Sequence, residues 1–136
     1  MNYTYILLNN KDDCQALLAA ATEQKASLEF RKLAIERHCA SASLTLQETE
    51  ADLYSVNTQI SISESIISAI PDSEVKDRES MKLMGLEYKK ALLQQRLKRY
   101  SPVRLLETEL DIGLLTNNIA ETQNFIAGIT SRLNEV

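Results

Sequence analysis

Residues 66–73 read Ile66-Ile67-Ser68-Ala69-Ile70-Pro71-Asp72-Ser73, an apolar helical pattern cut by a proline and two capping residues. Pro71 disfavours the α conformation at Ile70, and Asp72 or Ser73 can cap a new helix. A turn is predicted here. On its N-terminal side, residues 11–70 contain neither Gly nor Pro. One heptad position of that span holds Leu18, Lys25, Lys32, Cys39, Leu46, Leu53, Ile60 and Ile67. Its companion holds Cys14, Ala21, Leu28, Ile35, Ala42, Thr49, Val56, Ser63 and Ile70. The pattern is ragged around Lys25 and Lys32, yet its phase never slips, which is a coiled-coil-like signal.

A second break follows at Ser101-Pro102, an N-cap with proline at the first helical position. The apolar phase agrees. Leu86, Leu93 and Tyr100 recur at heptad spacing, but the next segment follows Leu105, Ile112, Ile119, Ile126 and Leu133. One heptad phase cannot hold both Leu93 and Leu105. A third joint is conceivable near residue 41, because His-Cys-Ala-Ser-Ala-Ser at 38–43 has weak helix propensity. The expected fold is all-α: a long antiparallel helical hairpin or coiled-coil bundle, with a four-helix bundle, within one chain or by assembly, as the alternative. A single helix over 11–70 would measure about 90 Å.

The expected organisation is one helical domain over 1–136, with a first arm at 10–70 and a second at 72–136 broken near 101–102. Residues 1–9 are expected to be extended. Tyr3-Thr4-Tyr5-Ile6 alternates and is rich in β-formers, so 2–8 is a candidate short strand. Asn10 with Asp13 makes a capping pair for the first helix. Gln59-Ile60-Ser61-Ile62-Ser63 also alternates, but the flanking apolar residues return it to helical spacing.

Composition narrows the function classes. The chain has 136 residues, 15 Lys and Arg against 19 Asp and Glu, 3 Gly, 2 Pro and no Trp. So few Gly and Pro disfavour sandwiches, barrels and Rossmann-type sheets, which need many turns. An apolar fraction of 44% argues against wholesale disorder. No apolar run reaches the roughly 18–20 residues of a membrane span. The opening residues lack a basic stretch and a small-residue cleavage site, so a cytoplasmic protein is expected.

The helices carry more apolar surface than one seam can cover. Met81, Met84, Tyr88, Ala91 and Leu92 share one side of the third segment, while Val75, Leu86, Leu93, Leu97 and Tyr100 lie opposite. In the last segment Leu105, Ile112 and Leu115 form one stripe, and Leu106, Leu110 and Leu114 face away from it. A surface helix needs only one stripe. The surplus predicts association through Leu106, Leu110 and Leu114, helped by Leu86, Leu93 and Leu97. The expected partner is protein, with a homodimer joined through the same patch on both copies as the favoured form.

Charge is strongly segregated. Residues 41–80 carry eight acids (Glu48, Glu50, Asp52, Glu64, Asp72, Glu74, Asp77 and Glu79) and two bases. Residues 81–104 carry seven bases against Glu87 alone. Arg78, Lys82, Lys89 and Arg96 form one flank of the third segment. In a hairpin turning at Pro71, Lys90 falls opposite Asp52 and Arg96 near Glu48, so register-setting ion pairs are expected across the seam. The alternative is an anion site for nucleic acid, although the chain is acidic overall and carries no stacking aromatic array.

Motifs of chemistry are sparse. His38 is the only His, and Cys14 and Cys39 have neither CxxC nor HxxxC spacing. On one straight helix the two thiols would lie about 37 Å apart, beyond disulfide reach. Both occupy core-type positions, so buried reduced thiols are expected. Glu48 with Asp52 and Glu107 with Asp111 have helical spacing, but a di-iron helical site also needs two Glu-x-x-His motifs. Gly85, Gly113 and Gly128 are isolated, so no phosphate loop is indicated, and Gly113 is the expected point of close helix approach. No cofactor, metal or catalytic residue is assigned. The expected function is a non-enzymatic helical scaffold or adaptor; the alternative is a nucleic-acid-associated accessory protein using residues 78–104.

Overall fold

The computed structural model describes residues 1–136. A short 3₁₀ turn, Tyr5–Leu7, precedes three helices: α1 (Lys11–Ala69), α2 (Glu74–Arg99) and α3 (Pro102–Glu135). The protein is all-α.

The helix ends follow local chemistry. Asn10 Oδ1 accepts from the Asp13 N–H at 2.7 Å, while its Nδ2 donates to Asp13 Oδ2 at 2.7 Å. That reciprocal pair satisfies a donor that helix geometry would leave orphaned. Ser73 caps α2, its hydroxyl oxygen accepting from Lys76 N–H at 3.4 Å. Ser101 does the same for Arg104 N–H at 3.4 Å, one residue before Pro102 opens α3. Both breaks therefore fall at the proline sites.

Two expectations are corrected. The joint near residue 41 does not form, and α1 passes through residues 38–43 without interruption. Ser and Ala cost little in a helix when heptad neighbours on either side are already packed. The N-terminal strand does not form either. Residues 5–7 make a 3₁₀ turn, with Leu7 N–H donating to Thr4 O and Leu8 N–H to Tyr5 O. β-formers without a sheet edge to join have no ladder to complete.

The chain divides into two compact units, Met1–Cys39 with Leu106–Val136, and Ala40–Leu105. In the second unit Val56, Ile60 and Leu93 form a buried cluster, and Leu53, Leu83 and Leu86 pack against it. Ser63, also buried, donates its hydroxyl proton to Glu79 Oε1 at 2.6 Å. Ser63 lies near the end of α1 and Glu79 near the start of α2, so these segments run antiparallel. In the first unit Cys14 and Ala21 of α1 are buried, as are Leu115 and Ile129 of α3.

Burial along α1 keeps the heptad phase throughout. Cys14, Ala21, Thr49, Val56 and Ser63 are buried, and Leu28, Ile35 and Ala42 are partly so. Even Lys25 and Lys32, which make that pattern ragged, are half-buried at their stems. Their ammonium groups meet Glu29 at 3.5 Å and Glu36 at 3.7 Å one turn on. Long basic side chains can cover apolar surface in this way.

Candidate association surface

The two sides of α2 are sorted by its contact with α1. Leu93 is buried, Leu86 packs against the Val56 cluster, and Leu97 is partly covered. This corrects the expectation that Leu86, Leu93 and Leu97 belong to an outward association face. The outward residues of α2 are instead Met81, Met84, Tyr88 and Leu92. Their spacing of three, four and four residues keeps them on one side of a straight helix.

On α3 the outward row matches the expected one. Leu106, Leu110 and Leu114 are 63%, 62% and 53% exposed, and Val103 precedes them on the same side. Leu115, one residue beyond Leu114, is buried. Adjacent residues point about 100° apart, so the exposed row is a distinct face rather than the frayed margin of the packed one.

The charged flanks do not close the seam. Arg78, Lys82, Lys89 and Arg96 are all exposed. Arg78 approaches Glu74 of its own helix at 3.9 Å, and Lys76 approaches Asp72 at 3.1 Å. The expected pairs Lys90–Asp52 and Arg96–Glu48 do not form. Ion pairing in the second unit is local, one turn along the chain. Exposed pairs of this sort contribute little to stability.

Sequence reasoning missed an aromatic seat in the first unit. Tyr3 meets Phe125 edge-on at 4.8 Å between ring centroids, and Tyr5 lies 5.9 Å from the same ring. The Tyr3 hydroxyl donates to Glu121 Oε1 at 2.6 Å. That bond to the carboxylate, with some desolvation, holds the Tyr3 phenol above its ordinary range. Arg132 fastens the segment further along, its Nε donating to Leu8 O at 2.9 Å. The signal was present but unread. Tyr3, Tyr5 and Phe125 are three of only seven aromatic residues, 5 Tyr and 2 Phe.

Gly128 completes the seat. A Cβ at that position would collide with the Tyr5 ring, whereas nothing lies near Gly85 or Gly113. The close-approach glycine is therefore Gly128, which corrects the expectation for Gly113. Beside this seat Tyr3, Gln24, Leu28, Asn118, Glu121 and Phe125 line a shallow open groove.

The remaining candidates are dispersed. Cys14 is buried and Cys39 half-buried, both as free thiols, so burial of the second is only partial. His38 is exposed. No group of three or more His, Cys, Asp or Glu side chains gathers where it could hold a metal ion. No helix is long and apolar enough to cross a membrane. No protein-family model matches the chain, and neither a curated protein nor a solved structure matches it.

Proposed function

We propose that the protein is a non-enzymatic helical scaffold or adaptor, an antiparallel coiled-coil hairpin that self-associates through its outward apolar faces. The observation that supports this reading is the row Leu106, Leu110 and Leu114, each more than half exposed on a helix whose other side is already packed. Withdrawing a leucine from water contributes about 1.5–3 kcal/mol. Three leucines, joined by the four outward residues of α2, reach the roughly 4–15 kcal/mol that association costs in lost freedom. A second copy supplies equal apolar area without requiring any other molecule, and homo-oligomers are the commonest assemblies.

The test is Leu110→Glu with Leu114→Glu, followed by light-scattering mass and helicity over a concentration series. A buried unpaired carboxylate is costly, so smaller species with retained helicity are expected. Unchanged mass and stability would defeat the proposal. Binding of duplex DNA that weakens steeply with salt would transfer the assignment to the basic flank of α2.

A further inference from the structure

Resting on that self-association, we propose that α2 of one copy docks on α3 of a second copy, rather than each face meeting its own duplicate. The two outward rows have the same spacing. Met81, Met84, Tyr88 and Leu92 step by three, four and four residues, as do Val103, Leu106, Leu110 and Leu114. Their turns can therefore interdigitate along the whole contact. Methionine and tyrosine on one side and branched aliphatics on the other suit such packing, because the thioether adapts to the shapes it meets.

Charge selects the pairing. The α2 row is flanked on one margin by Lys82, Lys89 and Arg96; the α3 row is flanked on one margin by Glu107 and Asp111, with Arg104 at its start, and on the other by Glu109. These bases of α2 and acids of α3 are all exposed, and none is engaged in an ion pair within the chain. An antiparallel meeting of α3 with α3 would set the Glu107 and Asp111 margin against its own copy, with Arg104 as the one base on that margin. Meeting α2 with α2 would do the same with cations. Like charges across an interface exclude a pairing, whereas opposite charges steer and register it. Pairing α2 with α3 instead brings the basic margin of α2 to the Glu107 and Asp111 margin of α3. An antiparallel crossing that matches the rows end to end sets Lys82 beside Asp111 and Lys89 beside Glu107, as flanking charges do in antiparallel coiled coils.

The test uses the full chain and two charge reversals. One variant carries Lys82→Glu, Lys89→Glu and Arg96→Glu; the other carries Glu107→Lys, Glu109→Lys and Asp111→Lys. All six sites are exposed, so both variants should keep their helicity by circular dichroism. Should either unfold, glutamine at the same sites neutralises the flank without reversing it. Sedimentation of each variant alone should show self-association weakened about tenfold or more. Mixing the two should restore it, because each then offers the other a complementary flank.

Wild-type assembly should also weaken as salt rises. Reversals that leave self-association unchanged, or a mixture no tighter than either variant alone, would overturn the pairing while leaving self-association in place. A wild-type chain that stays monomeric at every concentration would overturn both.

Discussion

The Tyr5 ring occupies the space that a Cβ at Gly128 would need, so the N-terminal segment sits on α3 because residue 128 has no side chain. Gly128→Ala should raise the intrinsic helix preference of α3 by about 1 kcal/mol. It should also expel Tyr5 and loosen its contact with Phe125, an aromatic pair of a kind worth about 0.5–1.5 kcal/mol. Net stability should therefore change little. Limited proteolysis within residues 1–8 should accelerate, and the tyrosine near-ultraviolet signal should fall while helicity stays constant.

Tyr3 makes the same seat sensitive to alkali. Its phenol is held above the ordinary value of 10.0, chiefly by the hydrogen bond to Glu121. A group whose folded pKa is raised stabilises the fold fully below its unfolded pKa and loses that contribution as pH climbs through the folded value. The seat should thus be intact at neutral pH and release above pH 10, where the phenolate and the Glu121 carboxylate repel. In an ultraviolet titration one of the 5 tyrosines should ionise late. Glu121→Gln should remove that lag, since no carboxylate then favours the protonated phenol.

The hydrogen bond from Ser63 to Glu79 is predicted to couple α1 to α2. Ser63 is 1% exposed, and its hydroxyl meets Glu79 Oε1 at 2.6 Å. Hydrogen bonds to charged acceptors contribute about 1.5–3 kcal/mol, and a buried partner left unsatisfied adds its desolvation cost. Glu79→Ala should destabilise more in the wild-type background than in the Ser63→Ala background. Urea denaturation of the double-mutant cycle should give a coupling of about 1 kcal/mol or more. An additive cycle would show that the two residues fold independently.

The thiols should react at different rates. Cys14 has no exposed surface, whereas Cys39 is half-buried. A thiol reagent applied to the folded protein should modify Cys39 first and reach Cys14 only on the timescale of unfolding. Mass spectrometry of a timed reaction distinguishes the sites by peptide. Equal rates would mean that the α1 end holding Cys14 opens far more readily than its burial implies.

The seam of α1 was legible because period 3.5 is a property of the sequence itself, and both proline sites read correctly because proline and its cap act locally. What α2 turns inward was not legible. Its two stripes are nearly equal in apolar content, and only the presence of α1 decides between Leu93 and Met84. The same holds for glycine. Gly113 and Gly128 are alike in their local surroundings, and the difference is made by Tyr5, a residue more than a hundred positions away that returns to lie on α3. The cross-seam ion pairs do not form for a related reason: solvated long side chains gain little by pairing across a gap in water.

That division between inward and outward leucines makes the final prediction. Leu93 is 7% exposed within the Val56 and Ile60 cluster, while Leu110 is 62% exposed. Leu93→Ala removes packed methyl groups and leaves a void, so it should cost about 2–5 kcal/mol of folding free energy at any protein concentration. Leu110→Ala leaves no void in a single chain and should change its stability by no more than about 0.5 kcal/mol at high dilution. At high concentration the order should shift, because association stabilises the folded state by mass action and Leu110→Ala weakens it. Urea midpoints measured at micromolar and at near-millimolar chain concentration separate the two effects. A concentration-independent loss at Leu110 as large as that at Leu93 would place Leu110 in the interior of the folded chain.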